Sequence, residues 1–149
     1  MSEHKATIAW VRGTTPFEYE SYSRDHTWAF EGGIHVSASA APAFLGNAAL
    51  VDPEEAFVAS VASCHMLTFL ALAARKRLVV DGYDDSACGF LEKNADGKLA
   101  ITRVVLQPRI RFGGTAPSAV DVARLHELAH ENCFIANSVR TEIVVEDAS

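Results

Sequence analysis

The feature that most constrains the fold is a long apolar segment, VASVASCHMLTFLALAARK, at residues 58–76. Asp52 is a suitable N-cap before it, Pro53 fits the first helical position, and Glu55 completes a capping-box pattern. The cations at residues 75–77 suit a helix C-terminus. These signals predict a helix of about 24 residues, about 36 Å long. Because it is apolar nearly all round, it must be covered on most sides, by the rest of the chain or by a second subunit.

The same segment is long enough to resemble a membrane span. Its many alanines, together with Ser60, Ser63, His65 and Thr68, favour a buried helix in a soluble protein instead. The N-terminal sequence lacks the basic and apolar regions of a signal peptide. Three cysteines in this length do not form a disulfide framework. We therefore predict a cytoplasmic protein that does not associate with membranes.

Length and charge limit the functional classes further. A chain of 149 residues suits one domain spanning residues 1–149, and 49% apolar residues are enough for a folded core. The net charge of -6, from 13 basic and 19 acidic residues, argues against nucleic acid as a partner.

The remaining sequence indicates strands and a second helix. Three runs with strand character precede the first helix: KATIAWVRG, PFEYESYSRDHTWAFEG and IHVSAS. A turn is predicted at Gly32–Gly33, between the last two. After it come RLVVDGYDDSACGFLEK and KLAITRVVLQPRIRF, joined at the hairpin signal Asp96–Gly97. Pro108 favours an edge strand. The second helix is predicted in PSAVDVARLHELAHEN and a closing strand in SVRTEIVVED. The resulting order, β-β-β-α-β-β-α-β, predicts an α+β fold.

Two cysteines lie on predicted helices, Cys64 in the first and Cys133 at the end of the second, on a stripe with Val122, Leu125 and Ala129. A cysteine on an apolar helix is usually a small buried hydrophobe, and it becomes a nucleophile only when its thiolate is stabilised. Arg24 is a candidate cation, although a solvated strand residue is the commoner role. Because many residues separate the cysteines, the sequence leaves open whether they meet.

Three separated motifs resemble the OsmC/Ohr family of thiol-dependent hydroperoxide reductases. DPEEAFVASVASCHMLTFLALAA is similar to the family's helix motif, with Cys64 ten residues after Glu54. AHENCFIANS resembles the segment of its second cysteine and SRDH the segment of its arginine, in a form closer to the OsmC-like branch. Asp52 replaces the usual Asn, and Phe134 stands where the Ohr branch commonly has Pro.

The resemblance implies an OsmC-like fold in an intertwined homodimer with a long central helix. It also implies a thiol peroxidase in oxidative stress defence, which reduces organic hydroperoxides, and hydrogen peroxide less well. Cys64 is then the peroxidatic cysteine, Cys133 resolves its sulfenic acid, and Arg24 lowers the pKa of Cys64 and polarises the peroxide. The resemblance also implies that Glu54 holds Arg24 in place. Ten helical residues separate Glu54 from Cys64 by about 15 Å, so Glu54 acts through the long Arg24 side chain or lies across a subunit interface. The implied partner is an external dithiol reductant, for example of the lipoyl type, and no cofactor is expected.

Other assignments remain open at this stage. Phe44, Phe69, Phe134 and Trp28 form either an apolar substrate wall or ordinary core packing. His130 and Cys133 have metal-ligand spacing, but we do not identify the further ligands that zinc needs and predict no metal site. Cys88 has no assigned role. The alternative function is a non-catalytic OsmC-like stress protein, or a small-ligand-binding protein with an apolar interface cleft.

Overall fold

The computed structural model describes all residues from 1 to 149 and contains two helices and eight strands. The strands and helices are β1 Ala6–Ala9, β2 His26–Phe30, β3 His35–Ala38, α1 Pro53–Arg75, β4 Val79–Asp85, β5 Cys88–Lys93, β6 Leu99–Leu106, β7 Pro108–Gly113, α2 Ala119–Asn132 and β8 Glu142–Val145. The chain divides into two compact units, residues 1–56 and 57–149. The predicted α+β class is confirmed.

The first unit carries an antiparallel sheet in the order β1-β2-β3. The predicted turn is present after β2, where Gly33 has a φ of +85° and its N–H donates to the carbonyl of Phe30. The strand predicted from residue 16 begins only at His26. The preceding residues form turns, stabilised by mutual packing of the Trp10, Phe17 and Tyr22 rings with centroids 5.1–6.1 Å apart.

Helix α1 starts and ends close to the predicted residues. Its N-terminus is a reciprocal capping box, in which the Glu55 N–H donates to Asp52 Oδ1 at 2.8 Å and the Asp52 N–H donates to Glu55 Oε2 at 3.1 Å. Its C-terminus turns at Arg77, which has a left-handed φ of +59°. The Leu78 N–H then reaches the carbonyl of Ala73 at 3.0 Å, the 6→1 bond of a Schellman motif.

Removing this cap gives a first testable prediction. We expect Asp52→Ala to lower the free energy of unfolding by about 1 kcal/mol, because the Glu55 N–H loses its acceptor. Urea denaturation followed by circular dichroism measures the change. Asp52→Asn is the matched control, since Asn caps helices as well as Asp does. Equal destabilisation by both variants would contradict the assignment of the cap.

The second unit contains a two-stranded sheet, β4-β7, and a three-stranded sheet, β5-β6-β8. Each of the two long predicted strands is therefore split, because β4 pairs with β7 whereas β5 pairs with β6. The hairpin predicted at Asp96–Gly97 joins β5 to β6, with Gly97 at a φ of +74°. Pro108 opens β7, which pairs only with β4 and is thus an edge strand as predicted. The closing strand β8 runs parallel to β6.

One face of α1 packs into the core of this unit. The buried residues of that face are Val61, His65, Phe69 and Ala73. Val61 packs with β6, whereas Phe69 and Ala73 pack with β7 and α2. Leu67 lies on the opposite face and is 60% exposed. Although α1 is long and apolar enough to cross a membrane, it has a packed face with a buried histidine. Covering of its open face by a second subunit stays a prediction.

Candidate active site

The candidate site is built around two thiols from different helices. Cys64 lies in the middle of α1 and is half-buried, whereas Cys133 caps the C-terminus of α2 and is 1% exposed. Burial raises the pKa of Cys133, and the neighbouring Cys64 thiol raises it further. Cys64 also lines the same cavity as Asn132 and Phe134, the two chain neighbours of Cys133. The fold therefore brings together two thiols that the sequence alone could not place.

The environment of Cys133 is fixed by the turn that follows α2. The Cys133 N–H donates to the carbonyl of His130 at 3.3 Å, and the Ala136 N–H donates to Cys133 Sγ at 3.4 Å. This backbone contact opposes the pKa rise caused by burial. The sulfur is thus held in place by its own loop while it faces Cys64.

A cavity of about 410 Å³ opens beside Cys64. Its apolar wall includes Leu67, Leu72 and Phe134, and Phe134 is 80% exposed. Two polar side chains that were not predicted to belong to the site, Arg75 and Asn132, also line it. The cavity gives an apolar molecule a route to the Cys64 thiol, with one cation on its wall.

The four predicted substrate-wall residues occupy different places. Phe134 lines the cavity, but Phe69 is 0% exposed and does not. The Phe69 ring packs in the core against Tyr83 and His126, with centroids 5.8 and 4.6 Å away. Core packing is therefore the role of Phe69 in the single chain.

The other two wall residues belong to the first unit. Trp28 lies on β2 and donates from Nε1 to His26 Nε2 at 2.9 Å. Phe44 ends a short 3-10 helix and is partly exposed. Their contact with substrate stays a prediction.

Arg24 and Glu54 do not form the expected ion pair within the chain. The Arg24 guanidinium stacks on the Tyr22 ring, 3.7 Å from its centroid, and donates to the carbonyls of Tyr22 and Tyr19. No carboxylate forms an ion pair with it. Pairing across a subunit interface, and the roles of both residues at Cys64, stay predictions.

Sequence reasoning missed a buried histidine pair next to the thiols. His65 follows Cys64 on α1, and its Nε2 lies 3.0 Å from Nδ1 of His126 on α2, with the rings nearly parallel at 10°. Burial lowers the pKa of both rings, that of His65 to about 4, so the neutral pair is favoured. The signal that could have drawn attention to His126 is the run HELAH, in which His126 and His130 are four residues apart. The prediction of no metal site did not take this His-x-x-x-His spacing into account.

Comparison with known proteins gives the context of this geometry. The family model described as OsmC-like protein matches residues 46–146. The structure of an OsmC-like protein of unknown function from Vibrio cholerae is 51% identical, with a TM-score of 0.95 and 99% of each chain covered.

Two further solved structures are similar in fold. One is an organic hydroperoxide resistance protein from Legionella pneumophila, 17% identical, with a TM-score of 0.73 and coverage of 98% of this chain and 95% of that one. The other is the organic hydroperoxide resistance protein OhrB of Bacillus subtilis, 19% identical, with a TM-score of 0.69 and 97% of each chain covered. Among curated proteins no match was found.

Proposed function

Because this chain belongs to the OsmC-like protein family, we propose that it is a thiol peroxidase that reduces organic hydroperoxides with Cys64 and Cys133. The observation that carries the proposal is that the fold places both thiols at one site. Cys64 on α1 lines the same cavity as Asn132 and Phe134, which flank Cys133 at the end of α2, and Cys64 raises the pKa of Cys133. Organic hydroperoxide resistance is also the role in the names of the Legionella and Bacillus proteins that share the fold.

The first step is attack by the Cys64 thiolate on one peroxide oxygen. The O–O bond breaks, Cys64 becomes a sulfenic acid, and the other oxygen leaves as an alkoxide that takes up a proton to give the alcohol. A cation near the leaving oxygen favours the step, and Arg24 is the proposed source.

The second step forms a disulfide. The Cys133 sulfur attacks the Cys64 sulfenic sulfur, the S–O bond breaks, and water leaves. Because both thiols lie at one site of the same chain, this reaction is intramolecular, which favours it over further oxidation by a second peroxide. An external dithiol then reduces the disulfide by exchange, is itself oxidised to a disulfide, and returns both cysteines to thiols.

The cavity beside Cys64 suits an organic rather than an inorganic peroxide. Its volume of about 410 Å³ and its Leu67, Leu72 and Phe134 wall suit an alkyl or aryl group, which hydrogen peroxide lacks. The preference for organic hydroperoxides rests on this apolar wall.

The deciding experiment compares the wild type with Cys133→Ser. One equivalent of cumene hydroperoxide is mixed with reduced protein in a stopped-flow instrument, and free thiols are counted before and after. In the wild type we expect rapid loss of two thiols, with peptide masses that place the disulfide between Cys64 and Cys133. In Cys133→Ser we expect loss of one thiol at a similar initial rate, because the resolving thiol is gone and a dimedone-trappable sulfenic acid remains at Cys64.

Turnover with a dithiol reductant should fall in Cys133→Ser, whereas Cys88→Ser should behave as the wild type because Cys88 is not part of the pair. If wild-type thiols are lost no faster than free cysteine, the peroxidase proposal fails. Binding of a small apolar molecule in the Cys64 cavity would then be the function to test.

A further inference from the structure

A second cavity, of about 350 Å³, lies between α2 and the C-terminal segment that includes β8. It shares no lining residue with the cavity beside Cys64. Its polar wall consists of His126, Glu127, His130 and Asp147. The proposed peroxidase chemistry uses none of these side chains, so they need a separate explanation.

The buried member of this wall is His126. Its side chain is more than nine-tenths buried, since the residue is only 6% exposed. Nδ1 is occupied by His65 Nε2 at 3.0 Å, but Nε2 has no hydrogen-bond partner. The Asp147 Oδ2 carboxylate oxygen lies 3.8 Å from that Nε2. This buried nitrogen, which faces a carboxylate in a polar cavity, is therefore available to bind a ligand.

We propose that this cavity binds a divalent transition metal of the zinc type, through His126 Nε2, the Asp147 carboxylate and the imidazole of His130. Two donors bound to tetrahedral zinc at about 2.0–2.2 Å lie about 3.4 Å apart, so the observed 3.8 Å between His126 and Asp147 needs only a small closure. Water completes the coordination, for which the cavity has room.

His130 supplies the third donor by its position on α2. It lies four residues after His126, so both side chains project from the same face of the helix. His-x-x-x-His pairs of this kind are zinc ligands on helices. Because His130 is exposed, its side chain is free to turn toward the cavity. In the structure the three donors are not arranged around a common metal position. Rotation of the His130 side chain is what would bring its imidazole to His126 Nε2 and the Asp147 carboxylate.

The surroundings of His126 support a cation. A metal-bound histidine usually has its second ring nitrogen held by a hydrogen bond that fixes the ring, and His65 provides that bond here. The Asp85 carboxylate also acts on the His126 ring, in addition to Asp147. Glu127, which completes a His-Glu-x-x-His pattern, is ion-paired with Arg124 at 2.8 Å. The structure thus favours metal binding rather than a hydrolytic centre with Glu127 as base.

The test is Zn²⁺ binding to the full chain carrying Cys64→Ser and Cys133→Ser, so that the thiol pair cannot chelate the metal. Competition with a chromophoric chelator should give one Zn²⁺ per chain. We expect His130→Gln and Asp147→Asn, each added to this background, to weaken binding by about tenfold or more. Glu127→Gln, on the same helix and the same cavity wall, is the matched control and should leave the affinity nearly unchanged.

A second readout identifies the donors. Co²⁺ in this site should show visible d–d bands without a sulfur-to-cobalt charge-transfer band, because all proposed protein ligands are nitrogen and oxygen. Absence of Zn²⁺ binding in the background variant, unchanged affinity in both ligand variants, or equal weakening by Glu127→Gln would each overturn the proposal. Circular dichroism of every variant, compared with the background protein, shows whether weakened binding comes from unfolding. We expect the variants to fold, because His130 and Asp147 lie at exposed positions.

Discussion

Replacing Cys64 by Ser should lower the rate of organic hydroperoxide consumption by about 10³-fold or more, because the hydroxyl cannot replace the thiolate as nucleophile. The measurement is single-turnover consumption of cumene hydroperoxide by the reduced protein. Binding in the apolar cavity should persist, since the Ser side chain occupies nearly the same volume. The expected change is therefore in the rate of the chemical step and not in substrate affinity.

The control for Cys64→Ser is Cys88→Ser. Cys88 is exposed at the start of β5, and its thiol donates to the carbonyl of Gly89 at 3.9 Å. We expect its replacement to leave consumption unchanged. If Cys64→Ser consumed peroxide as fast as the wild type, Cys64 would not be the nucleophile and the proposed mechanism would be refuted. Equal losses in both serine variants would indicate nonspecific thiol oxidation.

The largest expected effect on stability comes from Phe69→Ala. Phe69 is fully buried on α1 and packs against Tyr83 and His126. Removing a ring from such a core typically costs about 3–5 kcal/mol, through lost transfer free energy and the remaining cavity. Equilibrium urea unfolding should show this decrease in the free energy of unfolding.

Phe134→Ala is the matched comparison, because both phenylalanines were predicted to form the substrate wall. Phe134 is mostly exposed, so its loss should change the free energy of unfolding by less than about 0.5 kcal/mol. It should instead raise KM for a bulky aryl hydroperoxide by about threefold to tenfold, because it lines the cavity beside Cys64. Strong destabilisation by Phe134→Ala, or a mild effect of Phe69→Ala, would contradict this division of roles.

Local signals in the sequence were sufficient for much of the fold. The capping box of Asp52 and Glu55 and the turns at Gly33 and Gly97 depend on neighbouring residues, and each is present where it was predicted. The splitting of two long strands was not predictable in this way. It depends on which distant strand each half pairs with, and a change of partner leaves no local signal.

For the candidate site, the sequence by itself determined the residue types and their helices: a cysteine within α1, another at the end of α2, and a family resemblance that assigns them roles. Only the tertiary structure decided that the two thiols lie at one site, that Phe69 belongs to the core, and that His65 pairs with His126. The physical reason is that helix periodicity fixes which face a residue occupies but not what packs against that face. Contacts between α1 and α2 arise from burial of apolar surface, which is non-directional, so the partner of each side chain is set by the assembled core.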